Sequence, residues 1–136
     1  MNHLFKKIIS GASGGAVALS VLTFSGSILG STTFVPSAEA NVNCNCVLYA
    51  KQQVPSLPTG LWTLQDKQRI INSRQPSVGA VAIIDNKVNK WGHVAVVRKI
   101  NSNGTITIQE SNWGGCGIRF RTNTPAKLNI LGYFKP

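Results

Sequence analysis

The chain has 136 residues and carries 14 Lys and Arg against 4 Asp and Glu, a net charge of +10. That length suits one small domain, with no repeat or low-complexity tract to suggest an array. The charge favours polyanionic surroundings. Nucleic acid is not the expected partner, because the basic residues are scattered and not interleaved with aromatic ones.

The first 40 residues read differently from the rest. Lys6 and Lys7 give a basic start, an uncharged run of apolar and small residues follows from Ala16 to Gly30, and Ala38-Glu39-Ala40 offers small residues where a signal peptidase reads. That three-part order is the pattern of a secretory signal peptide, with cleavage expected near Ala40 and a mature domain over 41–136. An uncleaved membrane anchor is the other reading, weakened by the Ser and Gly content of the run, since an anchor needs roughly 20 mostly apolar residues. Beyond residue 40 there are twelve Lys and Arg against Asp66, Asp85 and Glu110. For an exported domain, the polyanions within reach are cell-wall polymers and lipid head groups.

Asn41 to Asn45 is polar and reads as a leading loop. Asn43 or Asn45 is placed to cap a helix from Cys46 through Gln53, which Pro55 and Pro58 stop. Thr63 is placed to cap a second helix over Leu64 to Arg74, with Leu64, Gln68 and Ile71 on one face and Pro76 beyond it. From Val78 the period changes. Gly79 to Asp85 is a short apolar run and predicts a strand buried on both faces. His93 to Ile100 predicts a second strand, and Thr105 to Glu110 alternates at period two. Asn103-Gly104 between them is a hairpin signal, since both residues tolerate positive φ. Ile118 to Arg121 and Leu128 to Phe134 are two more strand candidates. Helices first and an antiparallel sheet after them indicate an α+β domain.

The 41–136 segment contains one His, one Glu, two Asp and three Cys, so few side chains are available for acid–base or nucleophilic work. A thiol needs a base to become a thiolate near neutral pH, which pairs Cys46 with His93 as nucleophile and base candidates. A four-residue loop over Asn101 to Gly104 would set Ile100 opposite Thr105 and His93 opposite Asn112. Glu110 would then lie diagonally from His93 on the same face, roughly 7–8 Å away at the backbone. A slip of one residue would separate them. Glu110 and Asn112 are therefore candidates to orient the imidazole. Cys46 at a helix start gains from the helix dipole, and its backbone N–H is free to donate to an oxyanion.

Three segments and a hairpin arm carry a family resemblance. Cys46-Val47-Leu48-Tyr49-Ala50, Val78-Gly79-Ala80-Val81-Ala82, Gly92-His93-Val94-Ala95-Val96-Val97 and Gly104-Thr105-Ile106-Thr107-Ile108-Gln109-Glu110-Ser111-Asn112 together resemble the CHAP domain, the cysteine, histidine-dependent amidohydrolase/peptidase family. The resemblance implies a papain-like fold, with N-terminal helices packed on a small antiparallel sheet, and hydrolysis of peptide or amide bonds in peptidoglycan. It implies Cys46 as nucleophile, His93 as base, Glu110 as orienting group and Asn112 as a further polar partner, with no metal or organic cofactor. Asn45 stands where the family often has Gln, and with the Cys46 amide it is the oxyanion candidate. Val47-Leu48-Tyr49 replaces a frequent Thr-Trp-Tyr.

An odd number of Cys in an exported protein fits one disulfide and one free thiol. The expected bridge is Cys44–Cys116, since a Cys44–Cys46 loop would strain the bond, and three reduced thiols remain the alternative. Trp91 and Trp113 are candidate walls of a substrate groove, Trp113 as a roof over His93 or simply as a packed aromatic. A monomer is expected. The rival to an enzyme is a non-catalytic cationic secreted protein that binds anionic wall or membrane surfaces.

Overall fold

The structure is a computed structural model that describes residues 41–136. The expected signal peptide over 1–40, with its cleavage point, lies outside the described residues.

The leading segment is not a plain loop but a 3-10 turn, Val42–Cys44, started by the Asn41 side chain accepting from the Asn43 amide. Helix α1, Cys46–Gln53, begins where the sequence placed it. Asn45 is the cap, its side-chain oxygen accepting from the amides of Val47 and Leu48 at 3.0 Å each. Helix α2, Leu64–Arg69, opens on a reciprocal capping box between Thr63 and Asp66.

That second helix stops five residues short of the expected Arg74. The amides of Asn72 and Ser73 donate to the carbonyl of Tyr133, and Tyr133 donates back to Ser73. The chain that the helical pattern claimed is thus drawn into the edge of the sheet. Ile71 packs against Gly132 instead of extending the helix face. A Cβ at Gly132 would come within 2.6 Å of Ile71 Cγ2, so the close approach needs glycine there.

Five antiparallel strands follow: β1 (Val81–Ile84), β2 (His93–Ile100), β3 (Ile106–Ser111), β4 (Ile118–Asn123) and β5 (Ile130–Phe134). Their order in the sheet is β4-β3-β2-β1-β5. The last strand begins two residues later than expected. Residues 124–129 form a turn in which Leu128 and Ile130 donate back to Thr124 and Pro125, which leaves Leu128 to plug the core.

Both sheet faces are covered, as the unbroken apolar run of β1 predicts. Val81, Ile83, Val94 and Val96 pack against Tyr49, Ala50, Val54, Leu57 and Leu61 from the helical side. Ala82, Ile84, Ala95, Val97, Ile106 and Ile108 face the other way, with Leu128 and Tyr133.

The β2–β3 hairpin corrects the expected loop and keeps its consequence. Ile100 pairs with Ile106, not Thr105, so the loop holds five residues. Thr105 is drawn into it by hydrogen bonds to Asn101 and Asn103. A bulge at Arg98 then absorbs the extra residue, and Val97 pairs with Ile108 and Val96 with Gln109. Beyond the bulge the register is the one the four-residue loop would have set.

Candidate active site

Continuing that register places Glu110 beside Ala95 and diagonal to His93 on one face. The two side chains meet there, His93 Nε2 lying 2.9 Å from Glu110 Oε2. Both are buried, His93 at 4% and Glu110 at 0% exposure. With Nε2 given to Glu110, Nδ1 is the ring nitrogen left for Cys46, the first residue of α1 and the free cysteine among the described residues. The thiol and the imidazole line the same cleft and lie near enough for each to shift the ionisation of the other.

The electrostatics run along this line of three groups. Burial works against a charged Cys46, but the hydrogen bond and positive charge of His93, the backbone of Val94 and the Lys67 ammonium outweigh it, holding the thiol below its ordinary value. Burial likewise opposes a charged His93, yet the Cys46 and Glu110 partners raise its pKa. For Glu110, burial is overcome by hydrogen bonds and charge from His93 and Arg121, and its carboxyl sits below the usual range. Both shifts run toward a thiolate beside an imidazolium, backed by a carboxylate.

Arg121 is the member that the sequence did not reveal. Its Nε donates to Glu110 Oε1 and its Nη2 to Glu110 Oε2 at 2.9 Å, a two-point grip on a fully buried carboxylate. In the β3–β4 ladder Arg121 pairs with Ile108, which puts it on the face of Glu110 and diagonal to it. The same guanidinium lies 3.8 Å over the ring of Trp113. Trp113 in turn meets the His93 ring edge-on, with centroids 4.9 Å apart. Trp113 thus lies against the imidazole and also packs against the core behind it, so it has features of both the roof and the packed aromatic.

Asn112 takes a different place from the one expected. It follows the end of β3, turns into the left-handed region at φ 59°, and donates its amide to Gly117. Having left the strand, its side chain makes no hydrogen bond to His93 among the described residues; it lines the cleft instead. The orienting contacts come from Glu110 and, behind it, Arg121.

Asn45 is committed to capping through its oxygen, so its free hydrogen-bonding group is the amide nitrogen. The Cys46 amide, first in the helix, has no intrahelical acceptor and remains open to an oxyanion. Cys44, two residues earlier, is bonded to Cys116. The same turn is also tied by Ser111 Oγ to the Val42 carbonyl and by the Gly117 amide to Asn43. The turn leading into Cys46 is therefore fastened to the segment that carries Trp113.

These groups open onto a cleft of about 770 Å³ whose lining includes Cys46, His93, Trp62, Val88, Trp91 and Trp113. Trp62 and Trp91 remain 73% and 50% exposed, so large apolar faces stand ready at its walls. Among the described residues no three His, Cys, Asp or Glu side chains converge as a metal site requires.

Helices packed on one side of an antiparallel sheet, with a helix-start cysteine facing a strand histidine, define a papain-like α+β domain with a thiol–imidazole–carboxylate line. Comparison with known proteins agrees with that class. A profile of the CHAP domain matches residues 36–112, more than half of the chain, and the chain belongs to the CHAP domain family. Over 60 residues it is 37% identical to a protein described as "Probable autolysin LDP" from Staphylococcus aureus (strain NCTC 8325 / PS 47), an alignment covering 43% of this chain and 21% of that protein. A crystal structure of an N-acetylmuramoyl-L-alanine amidase from Staphylococcus aureus superposes with a TM-score of 0.51 and 26% identity, over 63% of this chain and 28% of that one. The chain thus spans under a third of the length of either relative. Trp113, Cys116 and Arg121 lie beyond the matched segment.

Proposed function

We propose that this protein is an exported cysteine hydrolase that cuts an amide or peptide bond of bacterial peptidoglycan. The observation that carries the reading is the line Cys46–His93–Glu110, half-buried at the thiol and buried behind it, at the foot of an open cleft. The names of the two relatives, an autolysin and an amidase, support the substrate class. The three-part pattern of residues 1–40 supports export to the cell wall or beyond.

In the first half-reaction the Cys46 thiolate attacks the carbonyl carbon of the scissile amide. The C–N bond then breaks, His93 gives its proton to the leaving amine, and a thioester remains on Cys46. Negative charge on the carbonyl oxygen is received by the Cys46 amide, with the Asn45 carboxamide nitrogen beside it. In the second half-reaction His93 takes a proton from water, the hydroxide displaces the thiol, and the acid product leaves. Glu110 fixes the ring and its tautomer and stabilises the imidazolium; it does not itself transfer a proton.

The test compares purified wall sacculi incubated with wild type and with Cys46→Ala. Loss of turbidity with wild type alone is the expected result. Equal loss with both, or with neither, would leave the non-catalytic cationic binder as the better account. If Cys44→Ala abolished lysis while Cys46→Ala did not, the nucleophile would be misassigned. Mass spectrometry of the released fragments then names the bond.

A further inference from the structure

Lys67 has no part in the chemistry just described, yet its burial demands a reason. It is 2% exposed, although lysine is almost never fully buried, because taking an ammonium out of water is costly. Its Nζ donates to three backbone carbonyls, Leu61 at 2.9 Å, Trp62 at 3.1 Å and Trp91 at 2.8 Å. All three ammonium protons are therefore placed, and no carboxylate is among the acceptors.

The acceptors belong to two separate segments. Leu61 and Trp62 lead into α2, and Trp91 lies two residues before His93 in the loop that enters β2. Trp62 and Trp91 are the exposed aromatic walls of the cleft. One buried cation thus fastens both walls. We propose that Lys67 is a positioning residue of the site: its ammonium clamps the two aromatic walls of the cleft and places a positive charge in the same lining as Cys46. This rests on Cys46 being the reactive thiol.

The charge relation supports the geometry. The charged groups acting on Lys67 are Cys46 and Asp66, and Asp66 is already engaged by Thr63 and Arg69. Those acting on Cys46 are His93, with Glu110 behind it, and Lys67. Burial lowers the Lys67 pKa, and the Cys46 charge raises it in return. Such a coupling is reciprocal: whatever Lys67 does for the thiolate, the thiolate does for the ammonium.

The experiment follows iodoacetamide alkylation of Cys46 against pH in the full chain, for wild type, Lys67→Met and Lys67→Arg. Removing the charge should move the alkylation midpoint upward by roughly half a unit, and the arginine variant should keep it near wild type. With solubilised wall fragments, Lys67→Met should raise KM by about tenfold, as the walls lose their common anchor. A folded Lys67→Met protein with an unshifted midpoint and unchanged KM overturns the proposal. Should that variant fail to fold, NMR titration of the Lys67 ammonium in wild type and Cys46→Ala serves instead. The ammonium should titrate lower in Cys46→Ala, and identical titrations overturn the proposal. A wild-type thiol that alkylates like an ordinary cysteine would remove the proposed nucleophile as well, whereas a depressed wild-type midpoint indifferent to Lys67, with KM unchanged, sinks the Lys67 role alone.

Discussion

Replacing Arg121 with Met tests how far the site depends on a residue outside the matched family segment. The substitution keeps most of the side chain's length and apolar stem but removes the guanidinium from Glu110, whose carboxylate is 0% exposed. Removing one partner of a buried ion pair costs about 3–5 kcal/mol where nothing replaces it. Here His93 stays bound to Glu110 and the Arg121 side chain is 23% exposed, so water can enter. A loss of about 2–3 kcal/mol is therefore expected, below the cost of a wholly uncompensated buried charge and within that of losing hydrogen bonds to a charged group. For a domain of this size that lowers Tm by roughly 10–20 °C. The pH dependence has a definite sign. The folded pKa of Glu110 is depressed, so its stabilising contribution is present above the unfolded carboxyl value and disappears as pH falls through the folded value. Without Arg121 the folded value rises, and stability should begin to fail at a higher pH. Thermal melts monitored by circular dichroism from pH 3 to 8 would measure both effects. A variant within about 0.5 kcal/mol of wild type, the scale of an ordinary surface substitution, with an unmoved acid limb would refute this account of Arg121.

Three further outcomes follow from the same geometry. In the proposed mechanism the working charge state is a thiolate beside an imidazolium, so kcat/KM should rise as pH climbs through the lowered Cys46 value and fall as it passes the raised His93 value. Glu110→Gln removes one of the groups that raise His93 and should bring the alkaline limb to lower pH; a limb that stays put argues against Glu110 as its support. The Cys44–Cys116 bridge spans a sequence separation of 72, which in the chain-entropy model contributes about 4 kcal/mol. Cys116→Ser should accordingly lower the midpoint of urea unfolding markedly, and an unchanged midpoint would show that the bridge constrains little. Gly92→Ala places a Cβ 2.6 Å from Leu64 Cδ1 and 3.2 Å from the Ile84 carbonyl, at a φ of +61°. It should destabilise by about 2 kcal/mol and displace His93, read as a matched loss in melting temperature and kcat/KM. An alanine variant as stable and active as wild type would contradict that packing.

The pairing of His93 with Glu110 was legible because it depends on parity. In a hairpin, a side chain shares a face with its cross-strand partner and with the residues two away from that partner, so only the net parity of turn and bulges matters. The five-residue loop and the bulge at Arg98 are two departures that cancel, so the arithmetic survived a wrong loop. The start of α1 was equally legible, since Asn45 satisfies the first helical amides with its own side chain. The Cys44–Cys116 pairing, expected from an odd count and the strain of a closer bridge, is the one present. Asn112 was misplaced because the arithmetic assumed a strand that continues past Ser111, whereas the backbone leaves it there.

What the sequence by itself determined are the features set by neighbours along the chain: caps, strand alternation, the turn at Asn103-Gly104, and the scarcity that singles out Cys46 and His93. The end of α2 was beyond its reach, because Tyr133 competes for the amides of residues 72 and 73 from the far end of the chain. Lys67 and Arg121 were equally hidden, since a lysine on a short polar helix and an arginine in an alternating strand read as solvent-facing. Knowledge of the β4 register would have put Arg121 on Glu110's face, but nothing local states that register. Only the tertiary structure decides that these two cations are packed against the site, because their partners are carbonyls and a carboxylate brought close by packing, not by position in the chain.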